Sequence, residues 1–151
     1  MLEQLALNRE IRRMLGEELE TLSLEQLNYV PATHNNNVFW NIAHCIAVQQ
    51  ALCYSLSGLT APVEAAIVKN YRRGTAPEPT VDQAMVDRVQ DLLQSSVDWL
   101  ERDWTTGVFK EYKPYTVALG THLTNVEEAI AFNNLHEGIH YGYVLALKKL
   151  L

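Results

Sequence analysis

The sequence is short of cysteine, with two residues in 151, Cys45 and Cys53. They stand eight positions apart in one predicted helix, which separates their Cα atoms by ~12 Å, beyond disulfide reach. They form no CxxC pair, so a disulfide framework is excluded and two reduced, buried thiols in a cytoplasmic protein are expected. Positive charge is also scarce: Lys+Arg 12 against Asp+Glu 18 gives a formal net charge of −6, and the only basic pairs are Arg12–Arg13, Arg72–Arg73 and Lys148–Lys149. Such a chain repels phosphate backbones, so no nucleic-acid partner is expected. No apolar run approaches the ~20 residues of a bilayer span. The amphipathic N-terminus MLEQLALNREIRRML carries charges throughout and lacks the continuous apolar segment of a signal peptide. No membrane partner is expected either. With 48% hydrophobic and 20% charged residues the composition is that of a packed globule, and the length fits a single domain over residues 1–151.

Four segments carry a helical period. In the first, about residues 2–22, Leu7, Ile11, Met14, Leu15, Leu19 and Leu22 recur at threes and fours as one apolar stripe. Ser23 and Gln26 suit a capping box that opens a short turn ending before Pro31. A second helix is predicted after Asn35-Asn36-Asn37, through VFWNIAHCIAVQQALCYSLS to Gly58, a residue fit for the C′ position. A long connection follows, from Thr60 to Pro79, with one or two helical turns over 65–71. Connections of this length often cover a site. Thr80 and Gln83 suit a capping box for the third helix, which runs to about Trp104 with Met85, Val89, Leu92, Leu93, Ser96, Leu100 and Trp104 inward. Residues 105–123 read as loop with a short hairpin, on the alternation of Val108, Lys110 and Tyr112. Thr124 and Glu127 suit a third capping box, and the fourth helix runs from about Asn125 to the C-terminus, where Lys148 and Lys149 complement its dipole. Helices without convincing strands predict an all-α four-helix bundle with a long connection between helices 2 and 3.

The chemistry-bearing residues lie in the two most apolar helices. His136 and His140 are four residues apart, so they differ by only ~40° around the axis and can close on one metal ion. A third ligand must come from elsewhere, and His44 faces inward on the second helix. His34 and His122 fall in loops and are expected to be solvated. The stretch His136-Glu137-Gly138-Ile139-His140 also reads as HExxH, with Glu137 as a base. The eleven residues after His140 hold no His, Asp or Glu, which excludes the usual downstream third ligand. Glu137 points ~80° from the histidine direction, so a solvated carboxylate on the helix flank is as good a reading as a catalytic base.

Two stretches resemble the DinB/YfiT-like superfamily. Trp40-Asn41-Ile42-Ala43-His44 is similar to its Trp-xxx-His on the second helix, and residues 124–142, ending His136-Glu137-Gly138-Ile139-His140-Tyr141-Gly142, are similar to its fourth helix. The order of elements and the landmarks Tyr71–Gly74 and Pro77–Pro79 extend the resemblance over essentially the whole chain. It implies a divalent metal, commonly nickel or zinc, on His44, His136 and His140. It also implies homodimerisation in many members, and for some members thiol-dependent transferase or isomerase activity with bacillithiol, mycothiol or glutathione. Tyr143 stands where relatives often carry Gln.

Three imidazoles leave a coordination position open, as catalytic sites do. Taken with what the resemblance implies, the expected activity is that of a metal-dependent hydrolase or thiol S-transferase acting on a small molecule, with the metal activating water or a low-molecular-weight thiol. Glu137 and Tyr143 are the candidate catalytic residues. Trp40, Phe132 and Tyr143 are expected to shape the pocket, and Asn41 and Asn133 to orient the imidazoles. The competing reading is a non-catalytic, metal-stabilised bundle or a dimerising stress-response protein.

Overall fold

The computed structural model describes residues 1–77 and 80–151; Pro79, one of the loop landmarks, lies outside the described residues. The chain is mostly helical, in keeping with the all-α expectation. In order come α1 (Leu2–Thr21), α2 (Leu24–Asn28), α3 (Val38–Gln49), a π-helical turn (Gln50–Tyr54), a 3₁₀ turn (Ser55–Ser57), α4 (Ala65–Asn70), α5 (Gln83–Thr105), β1 (Tyr115–Thr116), β2 (His122–Leu123) and α6 (Val126–Lys148).

The helix starts follow side-chain capping, sometimes one or two residues from where the sequence suggested. Ser23 and Gln26 form the expected reciprocal box at α2, and Asn37 Oδ1 accepts the Trp40 N–H at 2.8 Å to open α3. At α5 the cap is Asp82, accepting from Met85 N–H at 2.9 Å, instead of Thr80. At α6 it is Asn125, accepting from Glu128 N–H at 2.8 Å. The Glu128 carboxylate returns the bond to Thr124, so the expected Thr124–Glu127 pairing is displaced by one residue. Asp and Asn are preferred over Thr as helix N-caps and take the position. The long second helix does not run as one α-helix to Gly58: it widens at Gln50–Tyr54 and tightens at Ser55–Ser57 before Gly58 ends it in the left-handed region at φ 70°. The hairpin forms later than the alternation suggested, with Tyr115 opposite Leu123 and Thr116 opposite His122, and no strand covers 108–112.

α1 packs along α5 and α6, and α3 packs chiefly along α6 and also against α4 and α5. Ile11, Leu15, Phe39, Ile42, Ile46 and Leu92 centre one part of the core, and Leu5, Cys53, Val97, Leu100, Leu123 and Ile130 the other. Leu7, expected in the stripe of α1, is 50% exposed. The inward face is turned by roughly 60° from the purely apolar stripe, because Asn8 and Arg12 are buried on it beside Leu5, Leu15 and Leu19.

Arg12 explains that rotation. Its guanidinium, with no exposed side-chain surface, forms a fork with the equally buried Glu137 carboxylate: Nε to Oε2 and Nη2 to Oε1, both 2.7 Å. Arg12 Nη1 also reaches Ser96 Oγ at 3.4 Å on α5, and Nη2 reaches the Cys45 carbonyl at 3.3 Å on α3. Asn133 Nδ2 donates to Glu137 Oε1 at 2.6 Å. One buried cation thus ties four helices together. Removing one partner of a buried pair leaves the other uncompensated. Arg12→Met should therefore lower stability by about 3–5 kcal/mol, while Arg12→Met combined with Glu137→Met should recover most of it. Urea unfolding of both variants beside the parent measures the difference, and an additive loss in the double variant would contradict the pairing.

Candidate metal centre and cavity

α3 supplies His44 and α6 supplies His136 and His140. One nitrogen from each ring can be chosen so that all three lie within 4.8 Å of one another. Ring centroids are 5.3 Å apart for His44–His136, 4.8 Å for His44–His140 and 4.5 Å for His136–His140. The three residues that the sequence singled out are therefore together. Among the described residues no other His, Cys, Asp or Glu joins a group of this kind. His34 bonds Thr33 and His122 bonds Thr116, both apart from the three.

The hydrogen bonds fix two of the ring tautomers. His44 Nδ1 lies 2.5 Å from the Tyr71 carbonyl oxygen, which can only accept, so this nitrogen carries the proton and Nε2 keeps its lone pair. His140 Nδ1 lies 2.8 Å from Asn41 Oδ1. The Asn41 amide nitrogen already donates to Asn36 Oδ1 and the Asn37 carbonyl, so its oxygen accepts and His140 also keeps its Nε2 lone pair. His136 Nδ1 is buried with no hydrogen-bond partner among the described residues. A buried polar atom without a partner is costly. Two outward-held lone pairs and one orphaned ring nitrogen suit a shared cation, and neutral imidazole is a ligand for zinc and nickel alike. The Trp40 indole stacks on His44 at 4.5 Å with 13° between planes, and its Nε1–H donates to Thr75 Oγ1, fixing the ring that backs the site.

The histidines open on a cavity of about 1290 Å³, larger than the ~300–1,000 Å³ usual for small-molecule sites. Trp40 and Phe132 line it as expected. Ala51 and Leu52 of the π-helical turn, the 60–73 connection and Tyr115–Leu119 supply other walls. Tyr143 does not line it; its ring is 37% exposed and packs on His34 at 5.7 Å. Asn41 orients an imidazole as expected, but Asn133 bonds Glu137 instead. Glu137 is not a solvated flank residue: it faces inward, and both its oxygens are taken by Arg12. That engagement ties α6 to α1 through a buried ion pair. The roles of Tyr71 and Arg12 carry no sequence signal, since one acts through its backbone carbonyl and the other looks like a surface arginine in a basic pair. Both cysteine thiols are buried, and burial raises their pKa values, which makes them poor nucleophiles.

Burial, reinforced by the neighbouring imidazoles, holds His136 down to about 3 and His140 to about 4, while burial lowers His44 against the raising effect of the Tyr71 carbonyl. The unfolded chain takes up protons near the ordinary histidine value of ~6.5, and the folded chain does so only well below it. Stability of the metal-free protein should thus be complete above pH ~6.5 and fall as pH drops toward 4. Guanidinium unfolding between pH 7.5 and 4.5 measures this. In the His136→Asn, His140→Asn variant the fall should be shallower, and an unchanged pH slope would refute the assignment.

No curated protein matches the sequence. A family description does match over residues 7–144, which is nearly the whole chain and includes all three histidines. With its helical architecture and its histidine group in place, the chain belongs to the DinB superfamily.

Proposed function

We propose that this protein is a metal-dependent enzyme, a hydrolase or thiol S-transferase, built as a single four-helix bundle domain that binds nickel or zinc on His44, His136 and His140. The observation that carries this reading is the meeting of three imidazole nitrogens within 4.8 Å at the wall of a large cavity. A divalent ion held there supplies Lewis acidity, lowering the pKa of a water or a small thiol beside it.

The chain's own residues do the rest. Tyr71 and Asn41 each accept an Nδ1 proton and thereby aim a lone pair from His44 and His140 toward the common centre. Trp40 and Phe132 wall the site with apolar surface, which excludes water from one side of a reacting group. Glu137, anchored by Arg12, keeps α6 in register, so that His136 on one side of it and His140 on the other face α3. Three protein ligands and an adjacent cavity favour a catalytic site over a closed structural one, which would be completed by a fourth side chain.

A homodimer belongs to the same reading. The outward positions of α6, Ala131, Leu135, Gly138, Ile139, Gly142 and Leu145, are exposed and uncharged. Apart from the adjoining residues and backbone of α6 itself, no heavy atom of the described residues lies within 4 Å of where a Cβ would stand on Gly138 or Gly142. A two-fold contact needs knobs and hollows on one surface, and this face offers both to a second copy. A cytoplasmic location is supported by the two free, buried thiols.

Two measurements test the proposal. His44→Ala should lose at least tenfold in zinc or nickel affinity by elemental analysis and competition with a chelator, and metal addition should raise the melting temperature of the parent but not of the variant. Unchanged stoichiometry would remove His44 from the site. For the dimer, Leu135→Lys with Leu145→Lys should halve the mass seen by light scattering; an unchanged mass would exclude the α6 face.

A further inference from the structure

The cavity has a chemical polarity that the histidines do not account for. The chain is net −6, yet Lys69, Arg72 and Arg73 gather on one rim of the cavity. All three are exposed, and among the described residues no carboxylate pairs with any of them. The one acidic residue that shares the cavity lining among the described residues, Glu64, is bound by Arg88 of α5. The cationic rim is therefore not neutralised from within this lining.

This rim is fixed beside the histidines by two separate ties. The Tyr71 carbonyl, immediately before Arg72 in the chain, accepts from His44 Nδ1. The Arg72 carbonyl accepts from Thr75 Oγ1 at 2.8 Å, and Thr75 Oγ1 in turn accepts from the indole of Trp40, the residue stacked on His44. Much of the remaining wall is apolar: Val48, Leu52, Leu56 and Val68, with Val117 and Leu119 of the hairpin segment, line the same cavity. The guanidinium fork is matched to the paired oxygens of a carboxylate or phosphate, and the apolar walls are matched to a hydrocarbon body.

We propose that the cavity takes an amphipathic anion, with its oxyanion head held by Lys69, Arg72 and Arg73 near the histidines and its apolar body laid along Leu52, Leu56 and Val117. The proposal rests on reading this cavity as the substrate site, and not on a bound metal. It places the reacting centre of the substrate within a few bonds of its anionic group. It also explains why a cavity of about 1290 Å³ exceeds what a small thiol alone fills.

The test is calorimetric titration of the full chain, metal-free and zinc-loaded, with decanoate, decyl phosphate, decanol and decyltrimethylammonium, each below its micellar concentration. Decanoate or decyl phosphate should bind the metal-free protein at least tenfold tighter than decanol or the cation, and the tighter of the two names the head group. Arg72→Ala with Arg73→Ala should abolish that preference, and because both positions are exposed the fold is expected to survive, as far-ultraviolet dichroism will verify. His136→Ala with His140→Ala should retain it, which separates this proposal from the metal reading: loss of metal with anion preference intact leaves the proposal standing. Absence of binding by all four probes, equal affinity for decanol and decanoate, or an unaltered preference in the double arginine variant would overturn it.

Discussion

The buried pairing of Arg12 with Glu137 is the constraint around which the helices are arranged. A guanidinium with no exposed surface needs its donors satisfied, and this one finds oxygens on three other helices: the Glu137 carboxylate, the Ser96 hydroxyl and the Cys45 carbonyl. Apolar packing tolerates rotation of one helix against another, because a leucine can exchange one greasy neighbour for the next. A forked ion pair does not, since a shift of an ångström breaks two bonds at once. Glu137 lies next to His136 in the chain and Cys45 lies next to His44, so the pair holds the two histidine-bearing helices at residues adjacent to the histidines themselves. The charge hidden in the core thereby sets the spacing of the imidazoles at its edge.

That arrangement also explains what was readable from the sequence. The i,i+4 step of His136 and His140 defines a pair on one face whatever the helix packs against, and His44 lies in a helix whose interior carries no charge, so its inward direction follows. The order of the long helices came from period and from punctuation by Asn37, Gly58 and the residues before α5 and α6. The reading failed where a residue acted against its type. Leu7 was placed in the core stripe while Arg12 was noted only as half of a basic pair, and burying the arginine turns the leucine outward. Glu137 was weighed as a base or as a solvated flank; it is not solvated, and its burial was not legible because its partner Arg12 is distant by more than a hundred positions and no local pattern announces it. Asp82 and Asn125 displaced the expected threonine caps by a residue or two, a margin within which several polar side chains compete for the same backbone N–H.

Support for the imidazoles came from groups of two kinds. Asn41 sits one turn before the next inward position of its own helix, and its type and placement invited the role it plays. Tyr71 contributes a carbonyl from the long connection after α3, and every residue but none in particular offers a carbonyl. The connection matters because its backbone supports one histidine and its side chains form a cavity wall.

The π-helical turn at Gln50–Tyr54 gives the helix behind the cavity two independent halves. A wide turn holds one residue more than the surrounding spiral, so everything beyond it faces a direction shifted by about a quarter revolution. His44 lies upstream of that offset, while Leu52 and Leu56 lie within and beyond it. Loss of a single residue at the wide turn would return the spiral to ordinary pitch, present a different set of side chains to the cavity, and leave the imidazole where it is. The lining of the cavity can thus drift by insertion and deletion while the histidine group stays unchanged.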